Sequence, residues 1–149
     1  MIEFHAGSGP DTQAVGAALE EGFFDYRVVP GGSMPLIVDQ GNRIGGAGNI
    51  LAHLAQRIGW PVAEALPWLA WSGDLKALDQ ALASSPFIFG EFSIADIAVW
   101  PRVMHQRTTL VGYPGIARWL THMSRRSAAG RGLGVVSGAI SADRSAAGR

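Results

Sequence analysis

The sequence predicts two layers: a small α/β unit over residues 1–60, then an all-helical unit. Three observations carry this. The segments with strand character all fall before residue 45. Beyond Trp60 the apolar residues recur at three- and four-residue spacing. Phe92-Ser93-Ile94-Ala95-Asp96-Ile97 is a helix-start signal, with Ser93 and Asp96 as a capping-box pair and Phe92 and Ile97 at the ends of a hydrophobic staple.

Ile2–Ala6 is short and apolar and predicts a first strand. Gly7-Ser8-Gly9-Pro10-Asp11-Thr12 is a turn cluster in which Pro10 suits a first helical turn and Ser8 a cap. Ala14, Val15, Ala18 and Leu19 follow at helical spacing, and Gly22 stops the helix. Tyr26–Val29 predicts a second strand, broken by Pro30-Gly31-Gly32. Met34–Val38 predicts a third, and Gly41-Asn42 a hairpin turn into a short fourth at Arg43-Ile44. Asn49–Ile58 predicts a helix with Ile50, Leu51, Leu54 and Ala55 on one face. Two further helical patterns follow at Ala63–Leu69 and Trp71–Ala83. The Ser93 helix runs to about Gln106, and Tyr113-Pro114-Gly115 opens another through Met123. After Ser127 the chain is rich in Gly, Ala, Ser and Arg, and Arg-Ser-Ala-Ala-Gly-Arg occurs at 126–131 and 144–149. Val135-Val136 and Ala139-Ile140 are candidates for docking, and the last ten residues read as loose.

The 149 residues are 48% hydrophobic and carry 12 basic and 12 acidic side chains. A zero net charge argues against nucleic acid as partner and leaves self-association open. The absence of cysteine excludes a disulfide framework, a thiolate zinc site and a cysteine nucleophile. His5, His53, His105 and His122 have no metal-ligand spacing, so no metal site is expected. No apolar run reaches the roughly 18–20 residues of a membrane span, and no signal-peptide pattern opens the chain. The expectation is a soluble cytoplasmic protein. The charge is polarised: residues 1–65 hold seven acids and three Arg, residues 102–149 eight Arg and one Asp. The two halves either dock on each other or stay solvated.

Four stretches together resemble the glutathione S-transferase family: Ile2–Glu21, Ser33-Met34-Pro35-Leu36-Ile37-Val38-Asp39, Phe92–Ala98, and Tyr113–Trp119. Leu-Ala-x-Trp-x-x-Gly and Ile-Ala-Asp-Ile-Ala-Val-Trp-Pro are similar to the Nu-like bacterial branch with disulfide-bond reductase activity. The resemblance implies a thioredoxin-like domain at 1–60, a shortened helical domain at 61–127, and a tail at 128–149. It also implies a homodimer and glutathione as co-substrate.

Three departures stand out. Too few residues separate the second and third strands for the family's intervening helix. The helix pair that opens the helical domain is cut to roughly Ala63–Ala83. Gly46 and Ala47 stand where the family keeps a Glu/Gln-Ser pair for the γ-glutamyl end of glutathione. Losing those hydrogen bonds costs on the order of 2–4 kcal/mol of binding, roughly 30- to 1000-fold.

The resemblance puts Ser8, and second Thr12, in the thiolate-stabilising place, since a hydroxyl at a helix N-terminus lowers a thiol pKa. Ser8 as a plain cap is the other reading. Met34 and Pro35, with a cis bond before Pro35, would hold the glutathione backbone. Gly46, Ala47 and Gly48 would present main-chain groups. His5, Trp68, Trp71 and Trp100 are candidates for the substrate pocket, or simply core. The implied reaction is attack of glutathione thiolate on an electrophile, or thiol–disulfide exchange. The alternatives are a non-catalytic binding or oligomerisation module, and an enzyme acting on another small molecule.

Overall fold

The computed structural model describes residues 1–106 and 112–132. The expectations for Val135–Ile140, the last ten residues and the second copy of the repeat lie outside them. The element order is β1 (Ile2–His5), α1 (Pro10–Glu21), β2 (Tyr26–Val29), β3 (Leu36–Asp39), β4 (Asn42–Gly45) and α2 (Ala47–Arg57). A 3-10 turn (Ala63–Ala65), α3 (Leu66–Leu69), α4 (Leu75–Ala81), α5 (Ile94–Met104) and α6 (Pro114–Ser124) follow. A last helical stretch covers 127–132. The strands form one mixed sheet in the order β2-β1-β3-β4, with β1 and β2 parallel and the other pairs antiparallel. This is a thioredoxin-like layer followed by helices, as the sequence predicts.

Alternation decides which way the sheet faces. Ile2 and Phe4 of β1 and Ile37 of β3 are buried, while their neighbours are partly exposed. α1 presents Ala14, Val15, Ala17, Ala18 and Leu19 to the core. Its small residues let α5 approach closely along its length. α2 buries Ile50, Leu51, Leu54 and Ala55, the face its apolar spacing predicts.

No helix connects β2 to β3. Instead Pro30–Pro35 runs as a short loop against the β1–α1 turn, where the Gly32 amide donates to the Ala6 carbonyl at 3.2 Å. A methyl on Gly7 would lie 2.9 Å from the Gly32 carbonyl oxygen, so glycine is what lets the two loops touch. The described residues contain no cis peptide bond, which corrects the expected cis bond before Pro35 to trans. Gly31, at φ 96°, turns the loop, and the chain reaches β3 without needing a cis bond to reverse it.

The helical patterns at 63–69 and 71–83 shrink to single turns and a seven-residue helix. Gly73, at φ 97°, stops a helix from running through, and α4 restarts on Asp74, which accepts from the Ala77 amide at 3.1 Å.

At α5 the capping box forms. Ser93 Oγ accepts from the Ala95 amide at 3.3 Å, and Asp96 accepts from the Ser93 amide at 2.9 Å. Asp96 is fully buried and also accepts from the Ile88 amide at 3.0 Å and the Trp119 indole at 2.9 Å. One carboxylate thus ties the start of α5 to the preceding loop and to α6. Burial raises its pKa above the ordinary carboxylate value, against the opposing pull of these three donors and of the Ser93 hydroxyl, which donates at 3.3 Å. Asp79 of α4 caps α6 in turn, accepting from the Ile116 amide at 3.1 Å.

The charge split is used within the chain. Arg126 forks onto Glu21 with two 2.9 Å hydrogen bonds, and its guanidinium lies 3.5 Å from the centroid of Phe92. Arg131 meets Glu20 at 3.5 Å and Arg102 meets Asp11 at 2.9 Å. Residues 127–132 lie against α1, with Ala129 buried and Gly132 packed on the backbone of Gly16.

Candidate functional site

The strand register places three connections at one end of the sheet. His5 pairs with Val29 on one side and Leu36 on the other, and Leu36 pairs with Gly45. Val29, His5, Leu36 and Gly45 therefore form one row. The β1–α1 turn, the β2–β3 loop and the β4–α2 junction all leave from it.

Two helices begin at this edge, and neither is capped by a side chain. α1 starts on Gly9 at φ 92° and α2 on Gly46 at φ 87°. No side chain satisfies their first amides, and the positive ends of both helices lie at this edge. β1 and β4 are separated only by β3, so the two helix starts stand about two strand spacings, roughly 10 Å, apart. Added methyls at Gly9, Gly31 and Gly45 would meet nothing within 4 Å, so the edge is open. The side-chain amide of Asn49 closes the junction by donating to the Gly45 carbonyl at 3.2 Å.

Ser8 is exposed in the β1–α1 turn and does not cap α1; Gly9 holds the cap position. Thr12 is fully buried and its hydroxyl has no hydrogen-bond partner, so it reaches no ligand at this edge. Met34 is 68% exposed beside Pro35, whose carbonyl accepts from the Gly46 amide at 3.2 Å. Ala47 is buried at the first turn of α2, and Gly46 and Gly48 are partly exposed. His5 ends β1 with its Nε2 buried and 3.9 Å from Glu3, too far for a hydrogen bond.

A cleft of about 380 Å³ opens where α1 begins and α5 ends. Pro10 and Asp11 form one wall, Trp71, Ser72 and Gly73 another, and Arg102, His105 and Gln106 the third. Of the aromatic candidates only Trp71 lines it. Trp68 is half-buried against the core, and Trp100 lies within the core with its indole N–H unpartnered. Arg102 crosses the cleft. Its Nε and Nη2 both donate to one oxygen of Asp11, at 3.3 and 2.9 Å, and Nη1 donates to the Trp71 carbonyl at 2.9 Å. The sequence reading missed this residue. The signal was an arginine in the last turn of an otherwise apolar helix.

A second polar cluster lies at the other end of the sheet. Asp39, buried, accepts from His53 at 2.7 Å and from Arg57 with both oxygens at 3.0 Å. Burial opposes its charge, but the His53 hydrogen bond and the Arg57 guanidinium outweigh it and hold the carboxyl below the ordinary value. His53 and Arg57 sit one turn apart on α2, so this pairing joins helix to sheet.

Residues 68–122 match the family model described as glutathione S-transferase, C-terminal domain. No curated protein sequence matches the chain. Among solved structures, a glutathione transferase from Burkholderia graminis superposes with a TM-score of 0.76 at 21% identity. The match covers 89% of this chain and 87% of that one, and that crystal holds two glutathione molecules per subunit. A family member from Pseudomonas fluorescens, also with two glutathiones, gives 0.75 at 22% identity over 89% and 92%. The theta-class enzyme of Xanthomonas axonopodis pv. citri with glutathione bound gives 0.77 at 16% identity over 89% and 96%. The chain therefore has the glutathione transferase fold, and its helical half carries a match to that family's C-terminal domain.

Proposed function

We propose that this chain is a glutathione S-transferase-family protein that binds glutathione weakly at the open edge of its sheet and activates the thiol. The observation that carries this is the pair of uncapped, glycine-started helices rising from one strand row. With the Gly46 amide given to the Pro35 carbonyl, the amides at Ala47 and Gly48 offer a seat for a carboxylate. Met34 and Pro35 form the floor between the two helices. Ser8 is the group for the sulfur: its exposed hydroxyl, beside the positive end of α1, donates to a thiolate and favours that form. In the reaction the thiol proton passes to solvent. The thiolate then forms a C–S bond to an electrophilic carbon whose leaving group departs with its electron pair, or attacks a disulfide sulfur and releases the other thiolate.

The domain boundaries at residues 60 and 127, a homodimer and a cytoplasmic setting belong to the same proposal. A second reading, a binding module without catalysis, is favoured by one observation: Gly46 and Ala47 supply no side-chain hydrogen bond at the α2 end.

The test is glutathione-dependent turnover of a chlorodinitrobenzene and of a small disulfide by the wild type and Ser8→Ala. The proposal expects turnover above the uncatalysed rate and a loss of about tenfold or more in Ser8→Ala, the effect of one hydrogen bond to charge. Binding without turnover supports the second reading.

A further inference from the structure

We propose that the cleft between the first turn of α1 and the last turn of α5 is a subsite for a carboxylate-bearing second substrate, anchored by Arg102. The inference rests on the proposed glutathione chemistry at the neighbouring edge and names the class of molecule that chemistry acts on. The cleft has the volume of a small-ligand site, about 380 Å³. Its lining is mixed, polar and apolar in similar measure. Trp71 and Pro10 give flat apolar contact, while Arg102, His105, Ser72 and Gln106 supply polar groups.

The state of Arg102 decides the ligand class. Elsewhere Arg126 forks two nitrogens onto the two oxygens of Glu21, and Arg57 Nη1 reaches both oxygens of Asp39. Arg102 instead sends Nε and Nη2 to the same oxygen of Asp11. That geometry gives up the two-point match that makes arginine–carboxylate pairs strong. The Asp11 side chain is also 50% exposed, where ion pairs are weak. Asp11 is therefore an exchangeable partner. The Nη1 bond to the Trp71 carbonyl holds the guanidinium in place during the exchange. A ligand carboxylate that takes the two-oxygen position replaces a poor pair with a good one, with its body against Trp71.

The carboxylate has two possible sources, the second substrate or glutathione itself. Calorimetry with para-nitrobenzoate and para-nitrobenzamide, each with and without millimolar glutathione, separates them. The proposal expects the benzoate to bind about tenfold more tightly than the amide, with the preference kept in glutathione. Arg102→Gln loses the preference and Arg102→Lys keeps part of it. Asp11→Asn strengthens benzoate binding several-fold, which a purely structural role for the ion pair would not do. Equal binding of acid and amide, no binding of either, or displacement of the benzoate by glutathione overturns the subsite. Glutathione heat measured alone reports separately on the site it rests on. Thermal melts of each variant identify any that fail to fold, and Asp11→Asn then carries the test.

Discussion

Two buried carboxylates act in opposite directions. Asp39 is held below its ordinary value of 3.8 by His53 and Arg57, so its contribution is complete above that value and is lost as pH falls through the folded one. Asp96 is raised by burial, so its ionisation lowers stability as pH rises through its folded value, while its oxygens still accept from their donors. Urea unfolding of wild type and Asp39→Asn should show a stability gap of about 2 kcal/mol near neutral pH that closes as pH falls through and below 3.8. Asp96→Ala leaves the buried Trp119 indole and two backbone amides without their acceptor and should cost about 3 kcal/mol or more at neutral pH by the same measurement. Asp96 was legible in the sequence because a capping box is a local pattern. Its bonds to Ile88 and Trp119 were not, because they join segments 8 and 23 residues away. Arg102 escaped for the same reason: its partners stand 91 and 31 residues away, and nothing near it in sequence announces them.

Among the elements, the strands and the long helices follow from their apolar periodicity, and their ends follow from Gly22, Ser93 and Pro114. The short helices were misread because Gly73 at φ 97° interrupts a pattern that periodicity alone runs together. The family-based expectation at Pro35 failed because a shortened β2–β3 loop reaches β3 by a different path. The stretch 127–132 behaves as part of α1's packing. A methyl on Gly132 would overlap the backbone of Gly16 and Ala17. Gly132→Ala should lift this stretch off α1 and speed amide exchange over 127–132 at least tenfold, an opening of about 1.4 kcal/mol or more, while β1 and β3 remain protected. Unchanged exchange would show that the contact is not tight.

Over the whole molecule, the zero net charge conceals a division that the fold resolves: acidic α1 is gripped at its start by Arg102 and at its end by Arg126 and Arg131. The strand row from which three loops leave lies at the Arg102 end of α1. The sequence shows Gly46 and Ala47 where the resemblance implies a Glu/Gln-Ser pair. The obstacle to restoring it was not visible: Gly46 takes φ 87°, which a side chain at that position would strain. Ala47 lies in the helix proper, where a serine fits without backbone strain. Calorimetric titration of glutathione into the wild type and Ala47→Ser, side by side, tests the central claim. The account predicts saturable millimolar-range binding by the wild type and about tenfold tighter binding by Ala47→Ser. No heat from either protein at millimolar glutathione would contradict it.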